Sequence, residues 1–396
     1  MQSKQTLQVA ALTLIAIGLL AVIFYTPVWW VSLTAPNYPE ESFPDGVRIH
    51  FHMNGVFNGC EKQQKTEITE EEALDCVHEM DTINHYVGMY PIAAGGPVER
   101  AFSQFLMAFM GIMLVGFMFP NPKLRMAVLG IGFLGIAAWM GYTLYGVDGF
   151  RLQSAGYVTA LVTSLDQEAG EERAEPEIVI GGVTGALKQS LEDSGVEVIL
   201  PSQLEAQKRA KSKHAGIDKS NLIKQLKTTY DIDQAKSDTL EPWDGSTFQI
   251  MSWHYAKSLG RYFNNPAEIV PMVANLQLAV NVVFVGLLAA MVLVIWGSRR
   301  NGGLLYWLLV LVPIALPVFF VIDYSAWLWW YGHTLNDMGA FSVKPFMPTV
   351  FGDGKVAQFT THSYPYIGFG LMLLTSVVLA VAALLRFRQF KQGGSD

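Results

Sequence analysis

A chain that carries six uncharged apolar runs of membrane-spanning length has few folds open to it. The runs are 7–25, 102–119, 126–147, 272–296, 304–322 and 366–385, and none contains Asp, Glu, Lys, Arg or His. About 20 apolar residues in helical form cover roughly 30 Å of hydrocarbon. The pattern therefore predicts an α-helical integral membrane protein with six transmembrane helices. Composition agrees: 51% of the 396 residues are hydrophobic and 15% are charged, against about a quarter charged in soluble proteins. A net charge of -7 excludes a basic nucleic-acid binder, and two cysteines exclude a cysteine-rich scaffold.

The first run follows Lys4 but is long and lacks a small-x-small cleavage site, so it reads as a retained N-terminal anchor over 1–25. Orientation follows from the short connections. Lys123 and Arg125 lie between the second and third runs, Arg299 and Arg300 between the fourth and fifth, and Arg386, Arg388 and Lys391 in the tail. All predict a cytoplasmic side that also holds both termini, in an inner membrane whose large loops face the periplasm. Trp29, Trp30, Trp327, Trp329 and Trp330 then fall at the opposite interface. The expected organisation is an anchor (1–25), an external His/Met/Cys segment (26–101), a transmembrane hairpin (102–147), an external α/β domain (148–271), a second hairpin (272–322), an external Trp/His/Pro loop (323–365), and a last helix with its tail (366–396).

All eight histidines, His50, His52, His78, His85, His214, His254, His333 and His362, lie in the three external segments. Spans avoid ionisable residues in any case, but six of the eight fall in the first and third segments near Met53, Met80, Met89, Met338 and Met347. The alternation in 47–53 reads as a half-buried strand with His50 and His52 on one face. Two imidazoles there can share a metal ion, or a surface strand simply carries them. A helix is predicted from a capping box at Thr69 to Glu72 as far as Val87 or Gly88. At about 100° per residue, His78 and His85 differ by about 20°, and Met89 follows about 40° further round if the helix persists. Cys76 and Met80 point the opposite way, toward a core. Nitrogen with soft sulfur favours copper over magnesium or calcium; the alternative is a helix whose His and Met residues pack or face solvent. Cys60 and Cys76 are predicted to form a disulfide in an oxidising compartment, tying together a smaller external loop domain. His333 and His362 bracket a proline- and glycine-rich third segment, read as a non-helical loop. They either complete a site with the first segment or hydrogen bond the loop backbone.

The second external segment has β-like character at 177–180 and 196–200 around a helical 183–194, which predicts a β-α-β unit. Its Gly181, Gly182, Val183, Thr184, Gly185 lacks the ending of a phosphate loop, so nucleotide binding is not expected. The basic residues from Lys208 to Lys227 read as a solvated face, and the domain as an interaction module for a protein partner. No span holds a histidine pair for haem or an acid for ion-driven transport. Asn275, Gln277 and Asn281 are expected to bond a neighbouring helix. Met107, Met110, Met113 and Met118 are expected to pack, and Pro313 with Pro317 to kink the fifth span.

Two stretches carry a resemblance: 78–92, HEMDTINHYVGMYPI, and 331–352, YGHTLNDMGAFSVKPFMPTVFG. They are similar to segments of polytopic membrane accessory proteins of bacterial nitrous oxide respiration and related copper handling, over about a tenth of the chain. The resemblance implies copper delivery or assembly support for a periplasmic copper enzyme, carried by His78, Met80, His85, Met89, His333, Met338 and Met347. The resulting expectation is a membrane protein that binds copper on its external face through these residues together with His50, His52 and His362. Two alternatives remain open: a membrane subunit of a redox enzyme with a surface metal site, and a structural subunit with no metal.

Overall fold

The computed structural model describes residues 2–60, 75–172, 219–237, 239–341, 344–356 and 358–393. The capping box at 69–72, the β-α-β unit at 177–200, the basic residues from Lys208 to Lys213 and His214 lie outside the described residues. The chain forms two units, one of Met1–Tyr157 with Asp244–Asp396, the other Val158–Trp243.

The first unit opens with α1 (Gln2–Tyr25), then β1 (Trp29–Thr34), β2 (Val47–His52), β3 (Gly55–Asn58) and α2 (Cys76–Val87). Helices α3 (Pro97–Met118) and α4 (Pro122–Tyr145) follow. Each starts on proline at its first position, where the missing N–H costs nothing. Asn121 caps α4 by accepting from Lys123 N at 2.9 Å. Helix α5 (Ala155–Glu172) leads into the second unit, which also holds α6 (Lys219–Lys236). The chain re-enters the first unit through α7 (Thr247–Phe263), α8 (Pro266–Gly297), α9 (Leu304–Ile314), α10 (Leu316–His333), β4 (Gly352–Val356), β5 (Phe359–Pro365) and α11 (Ile367–Gly393).

Five of these helices, α1, α3, α4, α8 and α11, are long and apolar enough to cross a membrane, and the α9–α10 pair, bent by 63°, makes up to six. The break falls at Ala315, between Pro313 and Pro317, as the sequence predicts. On α8, Val270, Leu278, Val282, Val285 and Val292 are 61–67% exposed, an apolar outer face suited to membrane lipid. Two of the polar groups expected to bond a neighbouring helix do so. Tyr145 donates to Asn281 Oδ1 at 2.7 Å, and Gln277 donates to Ser252 Oγ at 3.3 Å. Met110 and Met113 are buried, as a packing role requires.

One end of the bundle is closed by two fully buried arginines. Arg125 donates to the carbonyls of Ser298 and Phe119, both at 3.1 Å, and to Asn301 Oδ1 at 2.8 Å. Arg386 donates to the carbonyls of Phe117 at 3.0 Å and Met118 at 2.8 Å. Helix ends leave carbonyls without intrahelical donors, and these guanidinium groups satisfy them. The two basic turns and the C-terminal tail thus sit at the same end, as the charge pattern requires.

The opposite end carries an antiparallel sheet of order β3-β2-β1-β5-β4. It joins residues 29–58 to residues 352–365: Trp30 stands opposite both His50 and Tyr364, and Ser32 opposite both Arg48 and His362. Leu33, Val47 and Ile49 on one face pack against Cys76, Val77, Met80 and Ile83 of α2. The Cys60–Cys76 disulfide, with Cα atoms 5.9 Å apart, ties the strand end to that helix.

One expectation needs correction. The third external segment is not a non-helical loop. Residues 323–333 continue α10, because Asp323 ended the apolar run without ending the helix, and residues 352–365 supply two strands. The described residues of 148–271 include helices α5, α6 and α7, and the predicted β-α-β unit lies outside the described residues. The compact unit inserted here covers Val158–Trp243. Its stem is closed within the first unit by backbone bonds from Asp148 N to Asp244 O and Phe150 N to Gly245 O, both 2.9 Å. Inside the second unit, Tyr230 donates to Glu241 O at 2.7 Å and meets Trp243 edge to face.

Candidate functional site

The ten His and Met residues singled out in the sequence fall into distinct settings. His50, His52 and His362 share one face of the sheet, since Trp30 pairs with His50 and Ser32 with His362. The His50 ring stacks on Tyr366 at 5.2 Å, and the Arg48 guanidinium lies 4.3 Å over Trp30. Burial, then the Arg48 charge, holds His50 below the usual imidazole range; burial, then His50, pushes His52 down to about 4. Both rings are therefore neutral at neutral pH. His362 is engaged at both nitrogens, Nδ1 with Asp353 at 2.7 Å and Nε2 with Thr34 Oγ1 at 3.3 Å, and β1 separates it from His50.

His78 and His85 do share a face of α2, as their spacing demands. That face meets the end of α7. Arg261 donates to His78 Nδ1 at 3.1 Å, and the His85 ring packs against Tyr262 at 4.8 Å and Phe263 at 4.7 Å. Burial lowers the His85 pKa as well. Asp75 is the N-cap of the helix, accepting from Val77 N and His78 N. The helix ends at Gly88, whose φ of 93° suits glycine, so Met89 leaves the shared face and is buried. Met80 belongs to the core beneath the sheet. His333 donates from Nδ1 to Trp329 O at 2.7 Å and stacks on that ring at 4.4 Å, while Met338 and Met347 are exposed. Among the described residues, no group of three or more His, Cys, Asp or Glu side chains is placed to hold one ion.

The first and third segments nevertheless meet. Asn336 N donates to Gly88 O at 2.7 Å and Ala340 N to Tyr86 O at 2.9 Å. Between the sheet, α2, α3 and α10 lies a cavity of about 360 Å³. Phe51 and Val56 from the sheet, Ile83 from α2, Leu106 from α3, and Phe320 and Tyr324 from α10 give it apolar and aromatic walls. This is the size and character of a small-molecule site, which typically spans about 300–1,000 Å³ and holds few polar groups.

Its polar corner is compact. Glu99, in the first turn of α3, accepts from Trp327 Nε1 at 3.2 Å through Oε1, while Oε2 is buried and receives no donor. Asp323 lines the cavity near the same carboxyl, and Arg100 reaches the wall beside it. Tyr331 lines the cavity at 6% exposure with its hydroxyl buried and unpartnered. Asp323, Trp327 and Tyr331 recur every four residues, so α10 presents them along one face.

Sequence reasoning missed this site because it ended the spans at Phe102 and Ile322 to keep charge out of them. The four-residue spacing from Asp323 to Tyr331 is the signal that was available. Compared with known protein families, curated proteins and solved structures, the chain finds no match in any of the three.

Proposed function

We propose that this is a multi-pass inner-membrane protein that binds a small molecule with a long apolar part in the cavity between its external sheet and its helices. The cavity carries this reading: apolar walls, one polar corner, and a position where bundle and sheet meet. The orientation proposed, sheet outside and both termini cytoplasmic, rests on two supports. Lys123, Arg299, Arg300, Arg388 and Lys391 cluster at the arginine-closed end, and a disulfide at the sheet end suits an oxidising compartment. Mass spectrometry of organic extracts from protein purified in mild detergent tests the binding reading, beside Val56→Trp and Leu106→Trp, which fill the cavity. An apolar compound in wild type that is depleted in both variants is expected. Equal recovery from all three proteins overturns the reading.

A second reading, copper binding on the external face in support of a copper enzyme, rests on the resemblance of 78–92 and 331–352 and on two buried imidazole nitrogens, His50 Nε2 and His85 Nδ1, that have no hydrogen-bond partner. A neutral imidazole is the metal-binding form. The ten residues do not converge on one centre, so the fit reaches single imidazoles and no delivery step is derived through the metal. A protein partner in such a role would dock on the inserted unit Val158–Trp243. Copper content that is unchanged in the His50→Ala/His85→Ala variant sinks this reading.

A further inference from the structure

We infer that the cavity selects an uncharged headgroup bearing a hydroxyl, received by Glu99 Oε2 and the Tyr331 hydroxyl. This deepens the apolar-ligand reading and rests on it. Two buried polar atoms of the corner are left without a partner by the protein itself: Glu99 Oε2, an acceptor, and the Tyr331 oxygen, which both donates and accepts. Buried polar groups are almost always paired, and an orphan costs free energy. Two on one cavity wall describe the complement of a ligand that donates one hydrogen bond and exchanges a second. A hydroxyl with a neighbouring oxygen does both.

Charge selects against ionic heads. Glu99 and Asp323 stand together on one side of the corner, two acids that disfavour an approaching anion. Arg100 on the same wall carries one positive charge. The corner thus holds both signs of charge before a ligand arrives. A carboxylate or phosphate head would face two acids, and an ammonium head would face a guanidinium already present; in an apolar surround either excess is costly. The remaining walls are aromatic and aliphatic, with Phe320 and Tyr324 stacked 6.0 Å apart, and accept the chain. This chemistry occurs in membrane quinols and in acylglycerols.

Equilibrium binding by native mass spectrometry in mild detergent, under anaerobic conditions, tests the inference with five probes that share a ten-carbon chain. They are a decyl benzoquinol, its dimethyl ether, 1-decanoylglycerol, decanoate and decylbenzene, each tested on wild type, Glu99→Gln and Tyr331→Phe. The hydroxylated probes are expected to bind wild type about tenfold more tightly than the ether and decanoate, the range of a hydrogen bond to a charged group. Glu99→Gln and Tyr331→Phe should each remove most of that margin and leave decylbenzene unchanged. Whichever of the quinol and the acylglycerol binds more tightly identifies the source. Tyr331→Phe removes an unpaired buried hydroxyl and should not lower thermal stability, so a loss of binding in that variant is not a folding defect. An ether as tight as the quinol, or decanoate as the tightest probe, overturns the inference while the cavity reading stands. Failure of decylbenzene and every other probe to bind overturns the cavity reading itself.

Discussion

Gly95 is a glycine because the Tyr331 hydroxyl occupies the place where a side chain would begin: a Cβ on Gly95 would overlap the Tyr331 oxygen. The contact joins the approach to α3 to the far end of α10 at the polar corner of the cavity. Gly95→Ala is therefore expected to displace the Tyr331 ring and lower stability by about 1–3 kcal/mol, as overpacking does. Tyr331→Phe should restore part of that loss in the double variant, since it removes the nearest colliding atom while the ring carbon Cζ, 2.9 Å from the Cβ position, remains. Thermal unfolding of the four proteins in one detergent forms the cycle, and additive losses would show that the two residues do not share this space.

The two buried arginines predict a different kind of loss. Arg386 covers the carbonyls of Phe117 and Met118 at the end of α3. Arg386→Met keeps much of the volume and leaves those carbonyls without their donor, a cost of roughly 2–4 kcal/mol. Arg386→Lys should recover little, because an ammonium cannot reproduce the forked geometry. Chemical unfolding monitored by tryptophan fluorescence reads both. A lysine variant as stable as wild type would show that charge alone suffices at that end of the bundle.

What was legible in the sequence had a local cause. The spans follow from hydrocarbon thickness and the bend at Ala315 from Pro313 and Pro317. The shared faces of His50 with His52 and of His78 with His85 follow from strand and helix periods. What those faces meet was not legible. Arg261, Tyr262 and Phe263 reach His78 and His85 from more than 170 residues away, as the separation of 183 between Arg261 and His78 shows. The pairing of β1 with β5 spans most of the chain, so it carries no short-range pattern. The cavity needs the second of these long-range meetings, and its acids were set aside because charge was used to mark where spans end. Arg125 and Arg386 show the complementary effect: they counted as positive charges for topology, yet they are buried hydrogen-bond donors.

Cys60 and Cys76 close a sequence separation of 16 and anchor α2, which forms one wall of the cavity. The Cys60→Ser/Cys76→Ser variant should lose about 3 kcal/mol, the scale for a loop of about 15 residues. Reduction of wild type should lower its unfolding midpoint to that of the variant, and the variant should not respond to reductant. A midpoint in wild type that does not move on full reduction would show that the sheet and α2 hold together without the bridge.

Asp81 and His52 give the sheet end of the first unit opposing responses to pH. Asp81 is fully buried, and burial pushes its carboxyl up to about 7 against smaller opposing effects from the Ile92 N–H and Arg261. The folded state therefore holds the proton more tightly than the unfolded chain, so the contribution of Asp81 is complete below about pH 4 and is lost as pH rises through about 7. His52, pushed down to about 4, behaves in reverse: its contribution is complete above about pH 6.5 and is lost as pH falls through about 4. Asp81→Asn keeps an oxygen for the Ile92 N–H and removes the titration. Relative to wild type, that variant should gain in unfolding midpoint from about pH 4 to about pH 7 and level off above. His52→Phe should gain over the same interval in the opposite direction, most at the acid end. Midpoints measured at half-unit steps separate the two, and an Asp81→Asn difference from wild type that is constant across the interval would show that the carboxyl does not titrate there.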